Sequence, residues 1–222
     1  MRVKLVGCTQ PTDEFKEEGM GDVQDLISFC ARVSNPSNQM NMETTKKLLN
    51  YLAKHKHWSP FEMASATMEI ETTRDIARQM LRHRSFAFQE FSQRYADPRE
   101  FGDSFVLREA RLQDTKNRQN SIDNVDPRLE GEWRMRQQDV IDKAKEHYNW
   151  AIENGIAKEQ ARAVLPEGNT KSRLYMQGSI RSWVHFIELR SGNGTQKEHI
   201  EVAKACAEAI TKIFPMVNDF VE

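Results

Sequence analysis

Apolar and polar positions along this chain change period several times, and each change predicts an element. Residues 2–8 alternate weakly and predict a first strand. Residues 22–33 have helical spacing behind an Asp22 cap, and "SNPSN" ends them. Residues 42–55 gather Leu48, Leu49 and Leu52 on one side of a second helix, closed where Pro60 pushes Ser59 out of helical geometry. Period two returns over 61–72 and predicts a strand. Thr72 or Thr73 then caps a helix over 74–83, with Ile76, Ala77, Met80 and Leu81 on its apolar side. The next stretch, 85–98, reads as a loop leading to strand material at 105–113. A polar, turn-rich stretch precedes a long helix from Pro127 to Glu153, ended by Asn154–Gly155. Residues 158–165 predict a short helix and 171–180 a strand. A helix capped by Ser179 follows, then a Gly192-Asn193-Gly194 turn and a last amphipathic helix over 196–213. The fold class expected is α+β (mixed α/β), one domain over 1–222 with a modest central sheet flanked by long helices.

Charge sharpens this picture locally rather than globally. A formal net charge of −1 argues against a general nucleic-acid or membrane-surface binder. No apolar run approaches a membrane span, and the N-terminus reads as a strand rather than a signal peptide. Cys8, Cys30 and Cys206 are widely spaced and predict small buried hydrophobes, not a disulfide framework or zinc site. The cations are sorted by type: eight arginines and no lysine lie between His57 and Thr115, and all fourteen lysines lie elsewhere. A guanidinium is a planar fork that grips phosphate, carboxylate or an imide edge at two points, whereas an ammonium is a point charge. The middle of the chain therefore reads as a surface for directional anion recognition.

The densest stretch is "RHRSFAFQEFSQRY", 82–95. Gln79 and Arg82 share one helix face, and cations at a helix C-terminus also complement its dipole. That accounts for one or two arginines, not for an Arg-His-Arg run followed by Arg94. Phe86, Phe88 and Phe91 serve either as core anchors or as a stacking surface for a flat heterocycle. Glu90 is either a structural ion-pair partner or an acceptor for a ligand's donor. Ser92 has no His-carboxylate pair at a nucleophile elbow, so a hydrogen bond to phosphate suits it better. His55 and His57 stand two apart, with no further set of metal-ligand spacing. "ARAVLP" sets Arg162 in an apolar stretch, and "SIRSWVHFIELR" sets Arg181 and His185 on one helix face with Arg190 at its end.

Taken together these stretches resemble the flavin-dependent thymidylate synthases. "RHRSFAFQEFS" has that family's RHR, seven residues, then Ser; "HKHWSPFE", "ARQMLRHR", "EFSQRY", "ARAVLP" and the later R-S…F-x-x-L-R follow in the family's order, over roughly residues 20–213. The resemblance implies methylation of dUMP to dTMP, with methylenetetrahydrofolate as carbon donor, NADPH-reduced FAD as hydride donor and no enzyme cysteine nucleophile. It implies a homotetramer with sites shared between subunits; the location expected is the cytoplasm or, for a viral protein, the host cytoplasm, and charge and ligand spacing predict no nucleic-acid or membrane partner and no metal. By motif position it implies dUMP contacts from Gln79, Arg82, Glu90, Phe91, Ser92, Gln93, Arg94, Arg162 and Arg190. It implies FAD contacts from His57, Ser59, Arg82, His83, Arg84, Glu90, Ser179, Arg181 and His185. Arg190 would be the catalytic residue, stabilising negative charge on the uracil. Four positions depart from the family pattern: Gln89 and Ser179 and His185 where Asn is expected, and Gly194 where His is common. The alternatives are another FAD- or nucleotide-binding enzyme on the same scaffold, or an RNA-binding module of arginine and aromatic residues.

Overall fold

The computed structural model describes residues 1–102 and 104–219. Its centre is a four-stranded antiparallel sheet of β1 (Arg2–Cys8), β2 (Ser65–Thr73), β6 (Lys171–Ser179) and β3 (Ala87–Glu90), in the order β1-β2-β6-β3. Strict alternation makes the sheet two-faced. Ala66, Met68 and Ile70 of β2 and Leu174, Met176 and Gly178 of β6 point inward and are buried. Their outward neighbours form a polar ladder: Tyr175 donates to Glu69 at 2.9 Å, and Arg173 Nε donates to Glu71 at 3.0 Å. The inner face is covered by α2 (Val23–Ala31), α3 (Thr45–Lys54), α7 (Ile180–Ser191) and α8 (Lys197–Thr211), which share one apolar core with it. Trp183, fully buried at the centre, satisfies its indole N–H on the Ala66 carbonyl at 3.0 Å.

A short α1 (Asp13–Glu17) follows β1, and α4 (Arg74–Met80) leads from β2 to β3. Two two-residue strands, β4 (Leu112–Gln113) and β5 (Ser121–Ile122), pair as a hairpin within the polar stretch. The long α5 (Pro127–Glu153) begins on an Asp126 cap that accepts from the Arg128 and Leu129 amides. A short α6 (Lys158–Ala161) completes the helices, and no described helix is long and apolar enough to cross a membrane.

Three expectations change. The strand expected from residue 61 begins at Ser65, because Pro60 opens a 3₁₀ turn over Ser59–Glu62 that buries Phe61. The expected loop after Arg84 holds β3: Ala87, Phe88, Gln89 and Glu90 pair with Gln177, Met176, Tyr175 and Leu174. The strand expected at 105–113 is irregular apart from Leu112–Gln113 and a single bridge from Phe105 to Thr170. There the backbone is satisfied by side chains. Buried Gln137 accepts from the Arg108 amide and donates to the Arg108 carbonyl, both at 2.8 Å, and Glu130 accepts from the Ala110 amide at 2.7 Å. A glutamine that offers both an acceptor and a donor to one residue replaces a neighbouring strand.

Candidate nucleotide and flavin site

The arginine-rich stretch is held on the core by its rings. Phe86 packs edge-on against Trp183, with ring centroids 4.8 Å apart, and lies over Gly178, where any Cβ would run into it. Phe86 and Phe88 are partly buried against the main core, so they serve as anchors. β3 then carries the chain along the sheet edge, advancing about 10 Å over its four residues, so that Arg82, His83 and Arg84 precede one end while Phe91, Ser92, Gln93 and Arg94 follow the other. The Phe91 amide continues the ladder onto the Arg173 carbonyl at 2.8 Å.

At the first end, α4 meets the C-terminal end of α7. Arg190 Nε donates to His83 Nε2 at 2.9 Å. His83 is therefore an acceptor at Nε2, and burial together with the adjacent Arg190 guanidinium lowers its pKa to about 4. Arg190 is itself half-buried, and burial and the charge of Arg82 push its pKa down. Gln79 Nε2 donates to Gln196 at 2.9 Å, and Gln79 Oε1 accepts from His199 Nδ1 at 3.2 Å. Among the described residues Arg82, Arg84 and Arg190 make no ion pair with a carboxylate.

At the second end the groups are different. Arg94 Nε pairs with Glu159 at 3.0 Å, and Arg162 Nε donates to the Glu159 carbonyl at 3.3 Å, so these two guanidiniums share one neighbourhood. Ser92 is exposed, and Gln93 is buried with its Nε2 unpartnered. Glu90 accepts from Ser172 Oγ at 2.7 Å and lies 3.5 Å from Arg74, which makes it a structural partner in this chain.

A third group surrounds the start of α7. Ser179 caps that helix by accepting the Ser182 amide at 3.2 Å. Arg181 pairs with Glu62 at 2.6 Å, next to exposed Ser59 on the 3₁₀ turn. His185 stands edge-on to Trp58 at 4.8 Å, with its pKa lowered by burial and by Arg181. His57 is exposed behind Lys56, whose φ is 61°. The expected site residues thus form three clusters, two at the ends of β3 and one at the start of α7.

A cleft of about 820 Å³ lies beside the first cluster rather than on it. It is lined by Arg108, Arg111, Arg118, Trp133, Asn193 and Gln196 among others. Arg108, Arg111, Gln196, Glu198 and His199 were not singled out from sequence. No periodicity marks them, and only the bonds Gln79 and Glu198 make to them bring them to notice.

Comparison with known proteins matches this geometry to a family. The family model described as "Thymidylate synthase complementing protein" matches residues 18–216. A probable flavin-dependent thymidylate synthase of Paramecium bursaria Chlorella virus 1 is 49% identical over 217 residues, covering 98% of this chain and 97% of that one. A flavin-dependent thymidylate synthase of Synechocystis sp. is 46% identical over 222 residues and the full length of both chains. The crystal structure of a UMP/dUMP methylase from Streptomyces cacaoi bound with 5-Br dUMP superposes with a TM-score of 0.82 at 26% identity, covering 99% of this chain and 93% of that one. With a family model over most of its length and relatives near half identity from end to end, the chain belongs to the flavin-dependent thymidylate synthases, a family of enzymes.

Proposed function

We propose that this protein methylates dUMP to dTMP, taking the carbon from methylenetetrahydrofolate. The observation that carries this reading is the trio Arg82, Arg84 and Arg190: directional cations at one seam, none neutralised by a carboxylate of the described residues. Arg82 and Arg84 are exposed and Arg190 is half-buried, so all three guanidiniums stand open to an arriving anion. A dinucleotide cofactor and a nucleotide monophosphate are both anions, so the donor set fits FAD and dUMP. When bound, FAD reduced by NADPH supplies the hydride. His57, Ser59, Arg82, His83, Arg84, Glu90, Ser179, Arg181 and His185 would hold it.

The chain's own residues do the rest. Arg190 stabilises the negative charge that develops on the uracil imide, which makes C5 nucleophilic and C6 receptive. A guanidinium in a half-buried position acts through a lower dielectric than water. His83, neutral at Nε2, holds the Arg190 fork by its Nε and leaves the two terminal nitrogens for the base. Gln79 on α4 and Arg82 in the turn just beyond it position the nucleotide. Ser92, Arg94 and Arg162, with Phe91, Gln93 and Glu90 around them, hold its phosphate side.

The first and second clusters sit at opposite ends of β3, so we infer that a complete site takes one end from each of two chains in a homotetramer. The exposed Leu129, Trp133, Val140 and Trp150 on α5 offer apolar surface for such contacts. No cysteine nucleophile is invoked: burial raises the thiol pKa of Cys206 and of Cys30. We read residues 1–222 as one domain acting in the cytoplasm of a cell or a virus host.

The test is tritium release from dUMP labelled at C5, with FAD, NADPH and methylenetetrahydrofolate omitted in turn. Release that needs all three, with dTMP formed, supports the reading. Flavin-loaded protein that releases none contradicts it, and points first to the departures at Gln89, Ser179, His185 and Gly194.

A further inference from the structure

A chain of hydrogen bonds with one fixed sense runs behind Gln79. Its origin is Glu198 near the start of α8. Glu198 lies 2.5 Å from Arg111 and 3.2 Å from Arg108. Burial would raise its pKa, but the hydrogen bond from Arg111, with its other partners, outweighs that and lowers it to about 2. A carboxylate only accepts. Gln196 Nε2 must therefore donate to it, at 2.9 Å, which turns the Gln196 carbonyl away. That carbonyl accepts from Gln79 Nε2 at 2.9 Å, which in turn aims the Gln79 carbonyl at His199. His199 Nδ1 must then carry the proton it donates at 3.2 Å. The ring is fully buried, and Nε2, left with a lone pair, has no partner. A buried histidine that leaves one nitrogen unsatisfied is costly to stability, so its donor toward Gln79 is the feature with a use.

We propose that Glu198, Gln196 and His199 are positioning residues that lock the Gln79 amide in one orientation, so that it meets the uracil nucleotide as a fixed pattern of one N–H and one lone pair. The inference rests on the reading of Gln79 as a dUMP contact. An amide free to flip presents two opposite patterns to the base. One that is held at both its oxygen and its nitrogen presents one pattern, and loses no rotational freedom when the nucleotide binds. The sense of the chain is set by a single charge more than one residue removed from the ligand.

Two substitutions at one buried position test this. His199→Asn keeps a donor where Nδ1 stands; His199→Leu keeps the bulk and removes both nitrogens. Equilibrium binding of dUMP to the flavin-loaded protein is expected to weaken about tenfold in His199→Leu, the size of one net hydrogen bond, and to stay within about threefold in His199→Asn. The urea midpoint of His199→Leu is expected to equal or exceed wild type, because an unsatisfied buried acceptor is gone. Lost affinity without lost stability is what a purely structural histidine would not produce. Nitrogen-15 spectra of labelled histidine in the nucleotide-free protein are expected to show the Nδ1–H tautomer for His199. Wild-type dUMP affinity in His199→Leu, equal weakening in both variants, or the Nε2–H tautomer would each overturn the proposal. Failure of the wild-type protein itself to bind dUMP would overturn the synthase reading beneath it, and is told apart because the variants then never enter.

Discussion

Six of the eight arginines between His57 and Thr115 find a carboxylate inside the chain, and two do not. Arg74 meets Glu90, Arg78 meets Glu167, Arg94 meets Glu159, Arg99 meets Asp97, and Arg108 and Arg111 share Glu198. Arg82 and Arg84 join Arg190 in having none among the described residues. Composition treats all eight as one population of anion-gripping forks. The fold divides them: Arg82 and Arg84 keep their charge free of any carboxylate of the described residues, whereas Arg94 reaches a phosphate only by sharing its charge with Glu159. A cation-rich segment is thus evidence for a site only to the extent that its counter-charges lie elsewhere.

The sharpest way to break that contrast is Arg190→Ala. Turnover is expected to fall about a hundredfold to a thousandfold, the scale of a lost charge-stabilising group, while flavin stays bound by absorbance. Tritium release near wild type would reject the role given to Arg190.

The unpaired arginines have no carboxylate to hold their segment, so its rings must. Gly178→Ala drives a methyl into the Phe86 ring. A loss of about 1–3 kcal/mol is expected from that overpacking, read as a lower urea midpoint with an unchanged slope. An unchanged midpoint would mean Phe86 is not the anchor.

The histidines facing this cluster add a pH dependence. His83 and His199 have pKa values lowered from 6.5 to about 4, in both cases by burial first and then by Arg190, with His83 adding to the effect on His199. Each is neutral in the fold and takes up a proton more readily when unfolded. Their contribution is whole above about pH 6.5 and is lost as pH falls toward about 4. Stability is expected to drop by about 2 kcal/mol between about pH 7.5 and about pH 5.5, mostly through the fully buried His199. His199→Leu is expected to flatten that slope; an unaltered slope would exclude the ring as its source.

The paired population supplies the smallest effect. Arg78→Lys exchanges one member of an exposed pair with Glu167, so a change under about 1 kcal/mol is expected, with turnover unaltered. A larger loss would show that pairing alone does not mark an arginine as structural.

Much of this was legible in sequence because period reports burial. β2 and β6 alternate because one face meets the core and the other carries the Glu69, Glu71 and Arg173 ladder. α5 runs from Pro127 to Glu153, where the Pro127 start and Asn-Gly stop predict. The misses have one cause. β3 is a short edge strand between arginine runs, so its charge reads as loop. The Val106–Arg111 stretch alternates like a strand, but Arg108 and Ala110 give their backbone amides to Gln137 and Glu130, 29 and 20 positions away on α5. At the site, motif spacing named the arginines but could not say which are neutralised, since their carboxylates come from distant positions such as Glu159, Glu167 and Glu198.

One measurement bears on the contrast most directly: calorimetric titration of dUMP into flavin-loaded wild type, Arg82→Lys and Arg78→Lys. Replacing a bidentate fork by a point charge at Arg82 is expected to weaken binding by about tenfold or more, while Arg78→Lys binds like wild type. Equal affinities in all three would contradict the claim that unpaired Arg82 grips the nucleotide while Arg78, paired with Glu167, does not.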